Sequence, residues 1–200
     1  MKVTKAKPVW GETLNPGYLG FITREHDALA EGIEWFERWT AGLPFVHVFI
    51  LSGPDEVVEA HAGGVRRASL AAEYFNEPDC QVFIREPRYW TPAMGASLVA
   101  EAEKHLGDHY GYGLILADML ANSFLGHSLN KFTFNLPNRA MSWLLNGRND
   151  EICSELAALV MQTQYPLRLR GCLRQPAREI TPKLLGNDEL CFKTGAWRIA

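Results

Sequence analysis

The sequence lacks the cysteine spacing that marks zinc sites and disulfide-stapled domains. Its four cysteines are Cys80, Cys153, Cys172 and Cys191, and no two of them form a C-x-x-C pair. The spacing therefore argues against a zinc site, and we expect no bound metal. Free thiols are typical of a reducing compartment, although the even number of cysteines leaves a disulfide open.

Blocks of basic residues are missing as well, and the formal net charge is -3. Proteins dedicated to binding nucleic acid usually carry a basic stripe that neutralises phosphates. The charge pattern therefore argues against nucleic acid as a partner.

Long apolar runs are also absent. No segment approaches the roughly 18 apolar residues that a membrane-spanning helix needs, so we expect no membrane span. The first ten residues contain no apolar stretch of the kind found in a Sec-type signal peptide. We therefore expect a cytoplasmic protein, or one released by a route that needs no cleaved signal peptide.

The 200 residues have the composition of an ordinary globular domain, with 47% hydrophobic and 22% charged residues. No linker, repeat or low-complexity tract divides them, so we expect one domain over residues 1–200. The predicted strands cover 18–22, 45–51, 57–61, 65–66 and 81–85. The predicted helices cover 27–39, 70–75, 92–106 and 150–164. Short extended pieces are expected at 168–170 and 190–192. Hairpins combined with separate helices indicate an α+β fold with a mainly antiparallel sheet.

Cys153 stands at the start of the apolar helix predicted after Asn149. Asn149, Asp150 and Glu151 are candidate N-caps, and they place the cysteine in the first helical turn. Amide dipoles at a helix start stabilise a thiolate, which makes Cys153 a candidate nucleophile. The alternative is a small buried residue without a chemical role, as many free cysteines are.

His47 is the one polar residue in the otherwise apolar strand predicted over 45–51. An imidazole left without a hydrogen bond in a core costs roughly 1–3 kcal/mol, so His47 needs a partner. It is a candidate base for the cysteine. The alternative is a core histidine bonded to a main-chain carbonyl.

Glu59, on the second strand of the predicted hairpin, is the candidate partner of His47. If the connecting loop has an odd number of residues, the two lie directly opposite, with Cβ atoms roughly 5 Å apart. A carboxylate there fixes the imidazole tautomer and stabilises the imidazolium. His61 is the rival partner, or else a strand-end residue partly in water. Tyr110 and Tyr112 are secondary candidates, as donors to an oxyanion or as packing residues.

The chain resembles the permuted branch of the papain-like NlpC-type cysteine peptidases, the YiiX-like group. The resemblance rests on five segments in the expected order, namely Phe45–Ile50, Val57–Ala60 with Gly64–Val65, Tyr110–Tyr112, Cys153–Leu156 and Thr181–Leu185. In this branch the histidine strand precedes the cysteine helix, as it does here. Relatives often have glycine where this chain has Phe49, a bulkier residue that bears on the shape of the cleft. Residues 122–149 match no pattern of the family.

The resemblance implies a circularly permuted papain-like fold, with a small antiparallel sheet packed against helices. It implies Cys153 as nucleophile, His47 as base and Glu59 as the residue that orients the base, without a metal or organic cofactor. The expected activity is hydrolysis of amide bonds through an acyl-enzyme, with peptidoglycan stem peptides as the default substrate. Two alternatives stay open. One is a lipid acyl hydrolase or acyltransferase, whose acyl chain the apolar residues 114–120 could line, and the other is a non-catalytic binding domain.

Overall fold

The computed structural model describes residues 1–24, 42–61, 64–77, 79–110, 150–151 and 153–199, and for 109–110 and 150–151 it describes the backbone alone. The helix predicted over 27–39, Tyr112, the apolar residues 114–120 and the segment 122–149 lie outside these residues.

Seven strands form one sheet. Across the sheet they are β1 (Val3–Lys5), β9 (Ala196–Arg198), β6 (Cys80–Arg85), β2 (Leu19–Arg24), β3 (His47–Gly53), β4 (Glu56–His61) and β5 (Gly64–Ser69). The strand pairs are antiparallel except for β1 and β9, which run parallel. The α+β class and the mainly antiparallel sheet are therefore confirmed, but the sheet has seven strands and one parallel pair and so differs from the small antiparallel sheet that the resemblance implies. The parallel pair joins the two ends of the described chain, and no local turn signal announces such a contact.

The described α-helices contribute to the core on one face of this sheet. They are α1 (Pro92–Glu103), α2 (Cys153–Gln162), α3 (Tyr165–Arg168) and α4 (Pro182–Asn187), with a π-helical turn at Ala71–Phe75 and 3-10 turns at Gly171–Arg174 and Ala177–Glu179. Thr91 and Thr181 cap α1 and α4 by accepting the N–H groups of Met94 and Leu184, and a proline opens each helix. None of the described helices is long and apolar enough to cross a membrane.

Several predicted elements differ from the structure. The helix predicted over 92–106 ends at Glu103, and turns lead on to Gly107, whose φ of 91° suits glycine. The piece predicted to be extended at 168–170 contains the end of α3 instead. Pro166 lies in the first turn of α3, where its fixed φ favours a helix and its missing N–H costs nothing. In the piece predicted at 190–192, Leu190 and Cys191 form a turn.

The sheet has a hydrophobic core on each face, as the run of apolar residues in β3 predicts. Val48 and Ile50 join the core on one face, which also contains Leu156 and Val160 of α2. Phe49 and Leu51 join the core on the other face. The packing of α2 on this sheet brings the helix start close to the beginning of β3.

Candidate active site

Cys153 is the first residue of α2, as expected, and its side chain is 6% exposed. The chain enters this helix from a short strand, Asp150–Glu151, which pairs in parallel with His109–Tyr110. Asp150 and Glu151 are therefore strand residues, and the prediction that they cap the helix is wrong. Asn149 lies outside the described residues. Ile152, between this strand and the helix, lies outside them as well.

His47 is the first residue of β3, and its ring contacts both other residues of the predicted triad. Nε2 lies 2.9 Å from Glu59 Oε2. The ring also shares a hydrogen bond with the Cys153 thiol. Because Glu59 occupies Nε2, the ring nitrogen left for the sulfur is Nδ1. The structure thus brings Cys153, His47 and Glu59 together, and their roles in catalysis stay a prediction.

The surroundings of Cys153 favour its thiolate. Burial raises the pKa of the Cys153 thiol. The charge and hydrogen bond of His47 lower this pKa, as do the main-chain N–H groups of Val48 and Ser154, and together they outweigh burial. The net pKa is therefore below the usual value. Burial likewise opposes the imidazolium, but Cys153 and Glu59 outweigh burial and raise the pKa of His47 to about 10. The arrangement therefore favours an ion pair between thiolate and imidazolium.

Glu59 is fully buried, and three neighbouring side chains set the charge of its carboxylate. Burial raises its pKa, but His47, the Tyr74 hydroxyl and Arg66 lower it to about 2. Tyr74 donates to Oε2, and Arg66 donates to Oε1 from Nε at 3.0 Å. A terminal nitrogen of Arg66 also forms an ion pair with Oε1 at 2.8 Å. Arg66 is held in turn by Glu73 at 3.0 Å. Glu59 is therefore ionised and fixed in place.

The hairpin register differs from the expectation for His47 and Glu59. Ile50 pairs with Val58, and continuing this antiparallel register sets Glu59 opposite Phe49 and His61 opposite His47. The prediction that His47 and Glu59 lie directly opposite is therefore wrong. They occupy diagonal positions on one face, a separation that a glutamate can bridge.

The secondary candidates have other positions. His61 ends β4 and is exposed. Burial, followed by the charge of Arg66, lowers its pKa. The ring of His47 donates to Glu59 instead. Tyr110 belongs to the strand beside Glu151, and only its backbone is described. Tyr112 lies outside the described residues.

Tyr74 and Arg66 were missed by sequence reasoning. Arg66 pairs directly with Glu59 across β4 and β5, and the alternation along these strands is a signal that would have found it. Tyr74 comes from the π-helical turn, where Ser69 Oγ accepts the N–H of Ala72 at 3.1 Å and Asp55 Oδ1 accepts that of Ala71 at 2.8 Å. No sequence period predicts where such a turn directs a hydroxyl.

Phe49 packs inside the protein. Its ring lies over Gly20, its neighbour on β2, where an added Cβ would come within 2.0 Å of the ring. The ring also stacks on Tyr74, with 5.0 Å between the centroids. Phe49 therefore bears on the site by packing against a partner of Glu59.

No protein-family model matches this chain, and a search of the curated proteins finds no match either.

Proposed function

We propose that this protein is a thiol hydrolase that cleaves amide bonds through an acyl-enzyme on Cys153, in a circularly permuted papain-like fold. The observation that carries the proposal is the contact of Cys153 with His47, whose other nitrogen is held by buried Glu59. Nucleophile, base and orienting carboxylate in contact are what such a reaction requires.

The proposed reaction begins with the thiolate of Cys153. Its sulfur attacks the amide carbonyl carbon and forms a C–S bond, and the carbonyl oxygen becomes an oxyanion. As the first residue of α2, Cys153 has a main-chain N–H without a carbonyl acceptor in its own helix, and this N–H is available to the oxyanion. The His47 imidazolium donates its proton to the nitrogen as the C–N bond breaks, and the amine leaves. Water, deprotonated by His47, then attacks the thioester, and the acid product leaves as the thiolate is restored.

Glu59 keeps its charge throughout this cycle in the proposal. Its carboxylate accepts from Nε2 and so holds Nδ1 toward the sulfur. Tyr74 and Arg66 keep the carboxylate in place while the charge of His47 changes. Loss of Glu59 is therefore expected to slow both proton transfers without removing the nucleophile.

The order of the elements supports the permuted fold within the proposal. The histidine strand β3 precedes the cysteine helix α2 in the chain, and α2 packs on β3 and β4. In the papain-like family that the chain resembles, the reaction takes place at the same contact, between the start of the cysteine helix and the histidine strand, whichever of the two comes first in the chain.

A direct test offers the full-length protein two substrates, peptidoglycan stem peptides and an activated fatty ester. The proposal expects new amino groups from the peptides with wild type and none with Cys153→Ser. Cys80→Ser is the matched control, because Cys80 is a buried cysteine of the opposite core. It should retain the activity of wild type.

The two alternatives give different results in the same test. A lipid enzyme would accumulate a fatty acyl group on Cys153, visible as a mass shift of the intact protein, and would release no amines. A binding domain would give neither product nor adduct, while a ligand would still raise the melting temperature. Either result would overturn the amide hydrolase.

A further inference from the structure

Away from the triad, the described residues contain one further cluster of possible metal ligands. Cys172, Asp188 and Cys191 each offer one ligand atom, and these atoms lie within 4.8 Å of one another. Cys172 and Cys191 are buried, 4% and 0% exposed. The proposed reaction uses none of the three residues.

The distances suit a tetrahedral metal ion. The two sulfur atoms are 4.0 Å apart, and zinc–sulfur bonds of about 2.3 Å with tetrahedral angles require about 3.8 Å between sulfurs. The Arg170 carbonyl oxygen is 3.6 Å from Cys191 Sγ, and tetrahedral bonds of about 2.3 and 2.1 Å place sulfur and oxygen about 3.6 Å apart. A disulfide, by contrast, needs about 2.05 Å between the sulfurs, so both side chains would have to move.

The carboxylate is fixed at this point by the backbone. Asp188 Oδ2 accepts the N–H of Cys172 at 2.6 Å, and Oδ1 accepts the N–H of Leu190 at 2.8 Å. A Cβ at Gly171 would lie 1.9 Å from Oδ2, so only glycine leaves room for the carboxylate there. Each oxygen keeps a further lone pair for an ion.

A buried cation, Arg85, lies near this cluster. Arg85 is fully buried, and its guanidinium donates to the carbonyl oxygens of Gly186, Gly195 and Lys193. Among the described residues, no carboxylate forms an ion pair with it. The acidic groups whose charge acts on it are Glu189, followed by Asp188 and Cys191. Two thiolates, one carboxylate and a divalent cation sum to one negative charge, the same charge as two thiols and the carboxylate alone, so binding would leave the charge that faces Arg85 unchanged.

We propose that Cys172, Cys191 and Asp188 bind a thiophilic divalent cation of the zinc type, with the Arg170 carbonyl or a water in the fourth position. Binding replaces the two thiol protons by the ion, so two protons are released and no oxidant is needed. The ion joins the turn Gly171–Arg174 to the chain just before Phe192, in the core that contains α2. Its role is therefore structural, because it would stabilise the part of the core on which the Cys153 helix packs.

The test titrates the full-length protein, freed of metal by a chelator and kept reduced by a phosphine, with Co²⁺. Thiolate ligands give Co²⁺ an intense charge-transfer absorption, and Zn²⁺ should displace it. We expect one equivalent bound by wild type and no such band in Cys172→Ser or Cys191→Ser. Asp188→Asn should weaken binding at least tenfold. Zn²⁺ should also raise the melting temperature of wild type but not of Cys191→Ser.

Cys80→Ser and Cys153→Ser are the controls and should keep the band. The proposal is overturned if reduced wild type shows no band, or if the band disappears with Cys153→Ser, which would place the ion at the His47 site. It is also overturned if Cys172 and Cys191 form a disulfide instead. The chelated, unreduced protein would then be lighter by two hydrogen atoms and would yield a linked Cys172–Cys191 peptide, whether or not metal is added. Should a serine variant fail to fold by circular dichroism, Asp188→Asn still decides the outcome.

Discussion

His47 and Glu59 are joined by a 2.9 Å hydrogen bond between diagonal positions of two strands. The residue directly opposite Glu59 on its other side is Arg66. The carboxylate therefore lies between an imidazole on one neighbouring strand and a guanidinium on the other. Glu59 Oε2 accepts from His47, and Oε1 accepts from Arg66. Because Arg66 has an oxygen of its own, Glu59 stays charged while His47 changes its charge.

Iodoacetamide at pH 6 should label Cys153 before the other three cysteines. His47 and two main-chain N–H groups lower the pKa of Cys153, whereas burial raises that of Cys80 to about 11. The rate of alkylation follows the fraction of thiolate, so we expect at least roughly tenfold selectivity over Cys80. Peptide mass spectrometry after brief labelling measures it. Equal labelling of Cys153 and Cys80 would falsify the stabilised thiolate.

His47→Ala should slow this labelling at pH 6. Without the imidazolium the thiolate keeps only the N–H groups of Val48 and Ser154 against the cost of burial. We expect a loss of roughly tenfold to 100-fold at pH 6, and a smaller loss at pH 9, where hydroxide forms the thiolate unaided. His105→Ala, which changes a histidine beside Asp108 instead, serves as the control. A rate that His47→Ala leaves unchanged contradicts the ion pair.

Stability should depend on pH through Glu59 and His47. Glu59 has a pKa of about 2 in the folded protein against 4.5 as its ordinary value. Its contribution is therefore fully present above about pH 4.5 and lost as the pH falls toward 2, and it is on the order of 3 kcal/mol. His47 has a pKa of about 10 against 6.5. Its contribution is present below pH 6.5 and lost as the pH rises toward 10.

Urea unfolding between pH 3 and 10 measures both effects. We expect Glu59→Gln to flatten the acid side of the stability curve relative to wild type, and His47→Gln to flatten the alkaline side. Other carboxylates also contribute to the acid side, so the difference between variant and wild type is the quantity to compare. Parallel curves for wild type and Glu59→Gln would contradict the pKa of Glu59.

Arg66→Met should destabilise the protein far more than Arg67→Met. Arg66 holds buried Glu59, whereas Arg67 contacts Glu103 and Glu56, which are partly exposed. We expect a loss of about 1–3 kcal/mol for Arg66→Met, because a buried carboxylate loses a donor, and less than about 0.5 kcal/mol for Arg67→Met. The free energy of unfolding at pH 6 is the measurement. Equal losses would show that Arg66 acts as an ordinary surface arginine.

Gly20→Ala should destabilise the protein by about 1–3 kcal/mol, because its Cβ would overlap the Phe49 ring. Combining it with Phe49→Leu should recover part of the loss, since the smaller side chain leaves room for the methyl group. Thermal unfolding of the single and double variants provides the comparison. Additive losses in the double variant would contradict the contact between the two residues.

The sequence by itself was enough to predict the hairpin of β3 and β4, the start of the cysteine helix at Cys153 and the need of His47 for a partner. These follow from local rules, because apolar periods, turn residues and the cost of a buried imidazole act over a few neighbouring residues. Side-chain alternation places Glu59 and His61 on one face of the strand and does not decide between them, so the choice of Glu59 came from the family resemblance, and its diagonal position was not predicted. A register depends on the turn and bulge between Leu51 and Gly53, which strand periodicity does not reveal.

Only the tertiary structure decided what surrounds these residues. Tyr74 reaches Glu59 from a π-helical turn, and β9 enters the sheet beside β1 from the far end of the chain. Cys172 and Cys191 lie nineteen positions apart and meet with Asp188 only because the chain folds back through α4. Contacts of this kind join segments that are distant in sequence and are selected by the packing of the whole core. Sequence patterns indicate the structure that each segment prefers by itself, but they do not predict which distant segment it will contact.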